Sequence, residues 1–432
     1  MWRNNLLIAT RLLARHRVYS AINIGGLALG LAGCLLIWSY IRHERSYDAW
    51  LPESERVYQV QAIWHEPGQP VSRSQNSPYP IRATLAGAFP QIEALSVMSN
   101  GPTVLMRDGK PIFLDWAAVD PEFFEIFRLP FVSGSAKTAL PDTNTIVLTE
   151  SEAIRQFGTS DVAGRTMTLG AGEGKRDRKV GAVLKDLPSN SSLKLTVLAL
   201  WNPADYDWMP AEAKGWGNMN QQHYVKLRPG ADAAAINAAL PAWEKRVIAP
   251  QMIDGRASSQ ADILDLALVP ISGVHLGPAQ HGALTPGGDP KALATFAIVA
   301  LLTLGMAIIN FVNLSTARAT QRAREVALRK VLGANRRHLI VQLLSESLLL
   351  AAAATLLALS LVELAAPAIG KLIGAELAIP YSGAGGMLVP ALILLVVTGL
   401  LGGLYPAFYL SRFQPADARL ARSTAAGWKR LR

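Results

Sequence analysis

The chain has 432 residues, half of them apolar, with 42 basic and 32 acidic side chains and a formal net charge of +10. That length holds one or two soluble domains, or one domain and a membrane bundle, and only pattern separates the two. A single cysteine, Cys34, excludes an intrachain disulfide, so every domain must fold on its own core.

The first 17 residues predict an interfacial helix, with Trp2, Leu6, Ala9 and Leu13 on one side of the wheel and Asn4, Arg11 and Arg15 opposite. A cytosolic helical start to the first span fits nearly as well. Val18 to Ile41 then runs 24 positions without a charge, enough for a bilayer core that needs about 20 apolar residues. It is longer than a signal-peptide core, and no small-residue cleavage site follows Cys34 to Tyr40, so 18–41 reads as a retained anchor and first span.

Residues 42–290 are expected to form one large α+β domain. Strand signals at Val57–Gln61, Ile146–Thr149 and Val180–Leu184 alternate with helical ones at Ile81–Ala88 and after Thr149, which should cap a helix ended by Gly158. Asp120 and Pro121 read as a turn. Asn190–Ser192, Pro229–Gly230 and the Gly287, Gly288, Pro290 cluster read as turns or linkers. Gly170 to Arg176 (GAGEGKR) is the nearest approach to a phosphate-binding loop, but its first glycine is one position late and Arg176 stands where Ser or Thr must meet magnesium. A solvated hairpin loop is the better reading.

Three further spans follow at 291–317, 347–370 and 387–411, free of charge apart from Lys291 at the edge of the first and Glu363. Between them lie a segment at 318–346 and a short loop at 371–386, and a tail occupies 412–432. The expected fold is therefore an α-helical membrane protein with four transmembrane helices and a large α+β extracytoplasmic domain between the first and second. The segments 1–17, 318–346 and 412–432 hold 17 basic and 3 acidic residues, against 25 and 29 elsewhere. Because translocation of Lys and Arg is opposed, these three face the cytoplasm, and residues 42–290 lie outside. The basic excess is thus a topology signal, with attraction to anionic membrane lipid a secondary reading; nucleic acid is not an expected partner.

No catalytic residue and no metal site is expected: the seven histidines show no His-Glu-x-x-His pair or cysteine partners, and no Gly-x-Ser-x-Gly elbow occurs. Polar residues within or beside the spans are Asn310, Asn313, Glu346 and Glu363, each near a membrane boundary, where snorkelling or a helix-to-helix hydrogen bond suffices. In the cytoplasmic segment Arg318, Arg322, Glu325 and Arg329 share one helical face and Gly333 breaks the helix, giving a charged elbow between spans two and three. Such an elbow can take a push from a soluble partner; a basic loop serving topology alone fits too.

Asn310–Arg318 (NFVNLSTAR) followed by Arg324–Ala334 (REVALRKVLGA) resembles the signature of the FtsX-like permease family. Arg17–Trp50 resembles the first span of these permeases, while Val119–Phe127 (VDPEFFEIF) and Val147–Gly158 resemble their MacB-like periplasmic core. The resemblance implies a non-catalytic ABC transporter permease subunit in the bacterial inner membrane, with both termini cytoplasmic and the large domain periplasmic. It implies a cytoplasmic ABC ATPase as partner, ATP and Mg2+ bound in that partner and not here, a second permease copy or homologous half, and a periplasmic partner. On the matching positions Arg324, Glu325, Arg329, Lys330, Gly333 and Ala334 form the ATPase-coupling element. Ala327 departs from the glycine common in the family, and alanine stiffens the elbow. The first span most resembles long permeases built of two such units, so the chain is expected to be the N-terminal half of a tandem permease or its equivalent. A membrane-anchored sensor or scaffold without an ATPase is the alternative.

Overall fold

A computed structural model of the protein describes residues 17–107, 110–170, 175–206, 214–253, 256–321, 336–373, 380–383 and 385–412. The chain divides into a membrane unit, Met1–His43 with Pro290–Arg432, and an outer unit, Glu44–Asp289.

Helix α1 (Arg17–Arg45) contains the first apolar stretch and continues to Arg45. After it the outer unit forms an eleven-stranded mixed sheet. Its strands are β1 (Val57–Trp64), β2 (Ser72–Ser74), β3 (Ile92–Arg107), β4 (Lys110–Val119), β5 (Phe131–Ser133), β6 (Thr145–Thr149), β7 (Thr166–Leu169), β8 (Arg176–Leu184), β9 (Val197–Leu200) and β10 (Gln222–Leu227). A separate ribbon of β11 (Gln251–Ile253) and β12 (Arg256–Ser258) precedes the last sheet strand, β13 (Leu264–Pro270). The order is β13-β1-β10-β3-β4-β9-β6-β8-β5, with β2 on β1 and β7 pairing with β3 and β8. The pairs β4/β9 and β6/β8 are parallel and the others antiparallel.

Strand β1 explains why this sheet is buried on both faces. By the two-residue period, Val60 and Ala62 point one way and Gln59 and Gln61 the other. The apolar side meets Ile81 and Leu85 of α2 (Ile81–Ala88). The polar side forms a hydrogen-bonded row: Gln61 Nε2 donates to Gln59 Oε1 (2.8 Å), and Tyr224 OH donates to Gln222 Oε1 (2.7 Å). Beside Tyr224 stands α3 (Glu122–Phe127), whose Phe127 ring centroid lies 5.0 Å from that of Tyr224 and whose Phe123 and Phe127 rings lie 4.6 Å apart. These rings centre one core. After the short α4 (Ala136–Ala139), α5 (Glu150–Phe157) covers a second core with Ile146, Leu148 and Val180. Helix α6 (Ala233–Val247) closes the third, setting Leu240 and Trp243 against Leu266 and Leu268 of β13.

One local expectation needs correction. Thr149 does stand at the N-terminus of α5, and Gly158 (φ 75°) closes it, but the Thr149 hydroxyl makes no cap bond. Asp186 supplies the acceptor instead, taking the Ser151 N–H at 3.1 Å. Asp120 and Pro121 do form the expected turn, closed by the Phe123 N–H on Asp120 O at 3.1 Å; Pro121 leads into α3, and Asp120 is buried. The pairing of Leu169 with Arg176 makes β7 and β8 an antiparallel hairpin, so the glycine-rich stretch between them joins two strands; it does not open a helix, as a phosphate loop must.

The membrane unit is completed by α7 (Pro290–Gln321), α8 (Arg336–Ile373) and α9 (Leu388–Arg412). With α1 they give, among the described residues, four helices long and apolar enough to cross a bilayer. Their shared core joins Leu27, Leu31 and Leu35 to Ala307, Phe311, Ala351, Ala354 and Ala358. Small residues set the spacing. A Cβ on Gly30 would sit 2.5 Å from the Ala307 Cβ, closer than two carbons can come, so α1 and α7 touch because position 30 has no side chain. Leu301, Met306 and Leu364 point outward, as lipid-facing residues do.

Candidate functional site

Of the residues expected to form the site, Arg324, Glu325, Arg329, Lys330, Gly333 and Ala334 lie outside the described residues, between the end of α7 and the start of α8. The four polar residues of the spans are not gathered into one centre. Asn310 and Asn313 are exposed on α7, with Asn310 Nδ2 3.3 Å from where a Gly26 Cβ would be. Glu346 is half-buried and accepts a 3.4 Å bond from Gln342 one turn away. Glu363 is exposed and accepts the Tyr381 hydroxyl at 2.8 Å, a bond that pushes the phenol pKa up. Glu346 and Glu363 share α8 but lie roughly 25 Å apart at 1.5 Å per residue. A further intramembrane polar residue, Asn23, is buried on α1, its Nδ2 3.4 Å from Tyr19 OH.

The most constrained polar chemistry lies instead where the chain leaves α1. Three of the four carboxylates of the strap 44–56, all but the exposed Glu55, are each held by a different part of the outer unit. Glu44 Oε2 meets His275 Nε2 at 2.9 Å, and both side chains are buried. Asp48 is fully buried; its Oδ1 accepts the Ser192 N–H (2.9 Å) and the Ser191 hydroxyl (3.3 Å), and its own N–H donates to Asn190 O (2.9 Å). Burial pushes the Asp48 carboxyl up, and the serine hydrogen bonds and the His275 charge oppose it. Glu53 accepts Lys226 Nζ (2.7 Å), Arg128 Nη1 (2.8 Å) and Arg56 Nη1 (2.6 Å), and the Lys226 hydrogen bond holds its carboxyl below the usual range. Arg56 also pairs with Glu93.

The backbone confirms how firmly these groups fix the strap. Asp48 (φ 57°) and Glu53 (φ 55°) are both left-handed, as is Arg128 (φ 46°), each costing about 1 kcal/mol or more for a residue with a Cβ. Side chains anchored this way outweigh that cost. Sequence reading offers one signal for the strap, acidic residues at 44, 48 and 53 directly after an uncharged span, and none for its partners, which are distant in sequence. Asn190–Ser192, expected as a plain turn, is the cradle for Asp48. Gly288, expected as a linker, packs against the Glu44–His275 pair.

Two further buried polar groups brace the sheet. Asp120 accepts from Arg82 Nε (2.7 Å), the Ser96 hydroxyl (2.5 Å) and the Val97 N–H (3.1 Å), and burial still raises its carboxyl. His223 is wholly buried beside Ser77 Oγ (2.9 Å), and desolvation pushes it down to about 3, so it stays neutral. A cavity of about 550 Å³ opens nearby in sequence, lined by Trp64, Ser72, Met219 and Gln260 among others. Ser77 and Ser96, the hydroxyls that meet these two groups, are themselves fully buried, and the geometry is that of anchoring.

Four apolar helices with an α+β domain inserted between the first and second define a multi-pass membrane protein. The family described as MacB-like periplasmic core domain matches residues 20–243, just over half of the chain, and the family described as FtsX-like permease C-terminal matches residues 297–415. The chain belongs to the FtsX-like and MacB-like ABC transporter permease family, and its outer unit is the MacB-like periplasmic domain. The uncharacterized ABC transporter permease YvrN of Bacillus subtilis (strain 168) is 31% identical over 120 residues, 28% of this chain and 28% of that protein. The macrolide export ATP-binding/permease protein MacB of Bdellovibrio bacteriovorus is 29% identical over 126 residues, 29% of this chain and 18% of that protein. These matches span less than a third of either relative's length. A crystal structure of a domain of a Porphyromonas gingivalis protein described as a permease is 25% identical, covering 57% of this chain and 98% of that one at a TM-score of 0.42.

Proposed function

We propose that this chain is the membrane subunit of an ABC transporter that carries out no chemistry of its own and transmits force from a separate cytoplasmic ATPase to its periplasmic domain. The ATPase, which binds ATP and Mg2+, engages Arg324, Glu325, Arg329, Lys330, Gly333 and Ala334, sited between two spans where a rigid-body push is passed on. The chain sits in the bacterial inner membrane with its basic N-terminal, 318–346 and C-terminal segments in the cytoplasm, and works beside a second permease copy or homologous half. A partner in the periplasm receives the motion.

The observation that carries this reading is the strap. A domain that is only tethered needs a flexible linker after its span, whereas here α1 gives way to a segment held by the buried carboxylates of Glu44 and Asp48 and by the half-buried Glu53, which gathers Lys226, Arg128 and Arg56. Movement of such a segment must move what grips it. The test is gentle-detergent purification of the tagged chain from its native host, with mass spectrometry and an ATPase assay. An ATP-binding subunit should co-purify and turn over, and replacing Arg329 and Lys330 with Glu should release it. Purification without any ATPase, or turnover by this chain alone, overturns the assignment and leaves a sensor or scaffold.

A further inference from the structure

The outer unit joins the rest of the chain at two points, Glu44 and Asp289. One residue of the outer unit, His275, bonds Glu44 at the first point and Gly288, next to the second. His275 bonds Glu44 Oε2 through Nε2 (2.9 Å), and its ring lies flat on Tyr47 of the same strap, centroids 3.3 Å apart and planes within 4°. Its backbone carbonyl accepts the Gly288 N–H at 2.9 Å and also Gln280 Nε2 at 3.4 Å. Gly288 stands two residues before α7 begins. A Cβ there would lie 2.5 Å from Glu44 Oε2, 2.9 Å from His275 Nε2 and 2.5 Å from Leu276 Cδ2, so glycine is what lets this segment close over the pair.

We propose that His275 gears the two ends of the outer domain to each other, so that displacement of the strap at Glu44 is passed to the segment leading into α7. This rests on the reading that the domain is moved from the membrane, and it identifies where that motion is shared. Three physical features suit the role. The imidazole is pinned at one nitrogen and one face by the strap, so it must follow the strap. Its own carbonyl holds the other end, so side-chain movement reaches Gly288 through a single residue. The site is buried, His275 being 3% and Glu44 9% exposed at the side chain, so water does not readily replace either bond.

Hydrogen exchange on the full-length chain in detergent tests the gear. His275→Ala removes the imidazole but leaves the carbonyl that Gly288 uses. A purely local pair then predicts faster exchange at 44–48 alone. Gearing predicts faster exchange at both 44–48 and 286–289, on the order of tenfold at each, with amides of β6 and β8 unchanged. His275→Gln keeps a donor near Glu44 and should restore most of the protection at both ends. Gly288→Ala, which wedges the pair from the other side, should loosen 44–48, and it carries the test if His275→Ala fails to fold. Loosening confined to one end in either variant overturns the proposal.

A second arm separates this from the coupling reading. A Val71→Cys reporter, at an exposed position while the native Cys34 is buried, is labelled in native membranes with and without ATP. An ATP-dependent change in rate that vanishes in His275→Ala supports the gear, and one that persists undiminished overturns it. If ATP changes nothing even with His275 in place, the coupling reading falls and the exchange result alone decides the gear.

Discussion

The two units of this protein are specified in opposite ways. The outer unit is defined by what its side chains supply: aromatic rings at Phe123, Phe127 and Tyr224, and buried ions at Asp48, Asp120 and Lys226 with partners fitted to them. The membrane unit is defined by what its side chains omit, with glycine at Gly30 and alanines at Ala307, Ala351 and Ala354 bringing helices together. The contrast follows from the solvent. In water, burying apolar area drives folding and leaves room for paired charges. In lipid, a leucine gains nothing by leaving the acyl chains, so close backbone approach decides which helices meet.

This comparison predicts that removal breaks the outer unit and addition breaks the membrane unit. Phe127→Ala empties a fully buried ring site and should cost about 3–5 kcal/mol, read as a lower denaturation midpoint of the outer unit with the membrane helices still folded. Gly30→Ala adds one methyl. On helix propensity alone it should stabilise α1 by up to about 1 kcal/mol, whereas the contact with Ala307 predicts a loss of about 1–3 kcal/mol. A raised thermal midpoint in detergent would refute the packing argument, and adding Ala307→Gly should restore the wild-type value.

The smallest effect is a dependence on pH. Glu244 of α6 is buried, accepts the Leu266 N–H at 2.8 Å, and burial pushes its pKa up to about 7 from the ordinary 4.5. The folded state therefore binds this proton more tightly than the unfolded state. Its contribution is complete below about pH 4.5 and lost as pH rises through about 7. Buried His223, held down to about 3, acts oppositely: its contribution is present above the ordinary histidine value of 6.5 and lost as pH falls toward 3. Glu244→Gln isolates the first effect, and its stability relative to wild type should grow by about 1–2 kcal/mol between about pH 5 and about pH 7.5. A flat difference across that range would mean that Glu244 is solvated.

Much of this was legible in the sequence for a stated reason. Uncharged runs of span length and the asymmetry of Arg and Lys are one-dimensional signals, and they suffice for four helices and an inserted domain. Helix α2 and the strands at Val57, Ile146 and Val180 were also readable, because period and punctuation are local. The strap was not. Glu44 finds its partner at His275, Glu53 at Lys226 and Asp48 at Ser191 and Ser192, and pairings so distant in sequence leave no trace in spacing. The same holds for Thr149, a good cap by type whose task is done by Asp186.

The strand order also sets a timetable. Strand β1 is the first part of the sheet to be synthesised, yet it lies between β10 and β13, which come last. As the chain is threaded across the membrane from its N-terminal side, Val60 emerges long before His223 of β10 and Leu268 of β13, the residues that will flank it. Long-range pairings of this kind form slowly and leave apolar edges open to association meanwhile. A nascent chain arrested before Leu264 would therefore present an unfinished sheet, with the β1 edge that β13 will cover left open until β13 arrives.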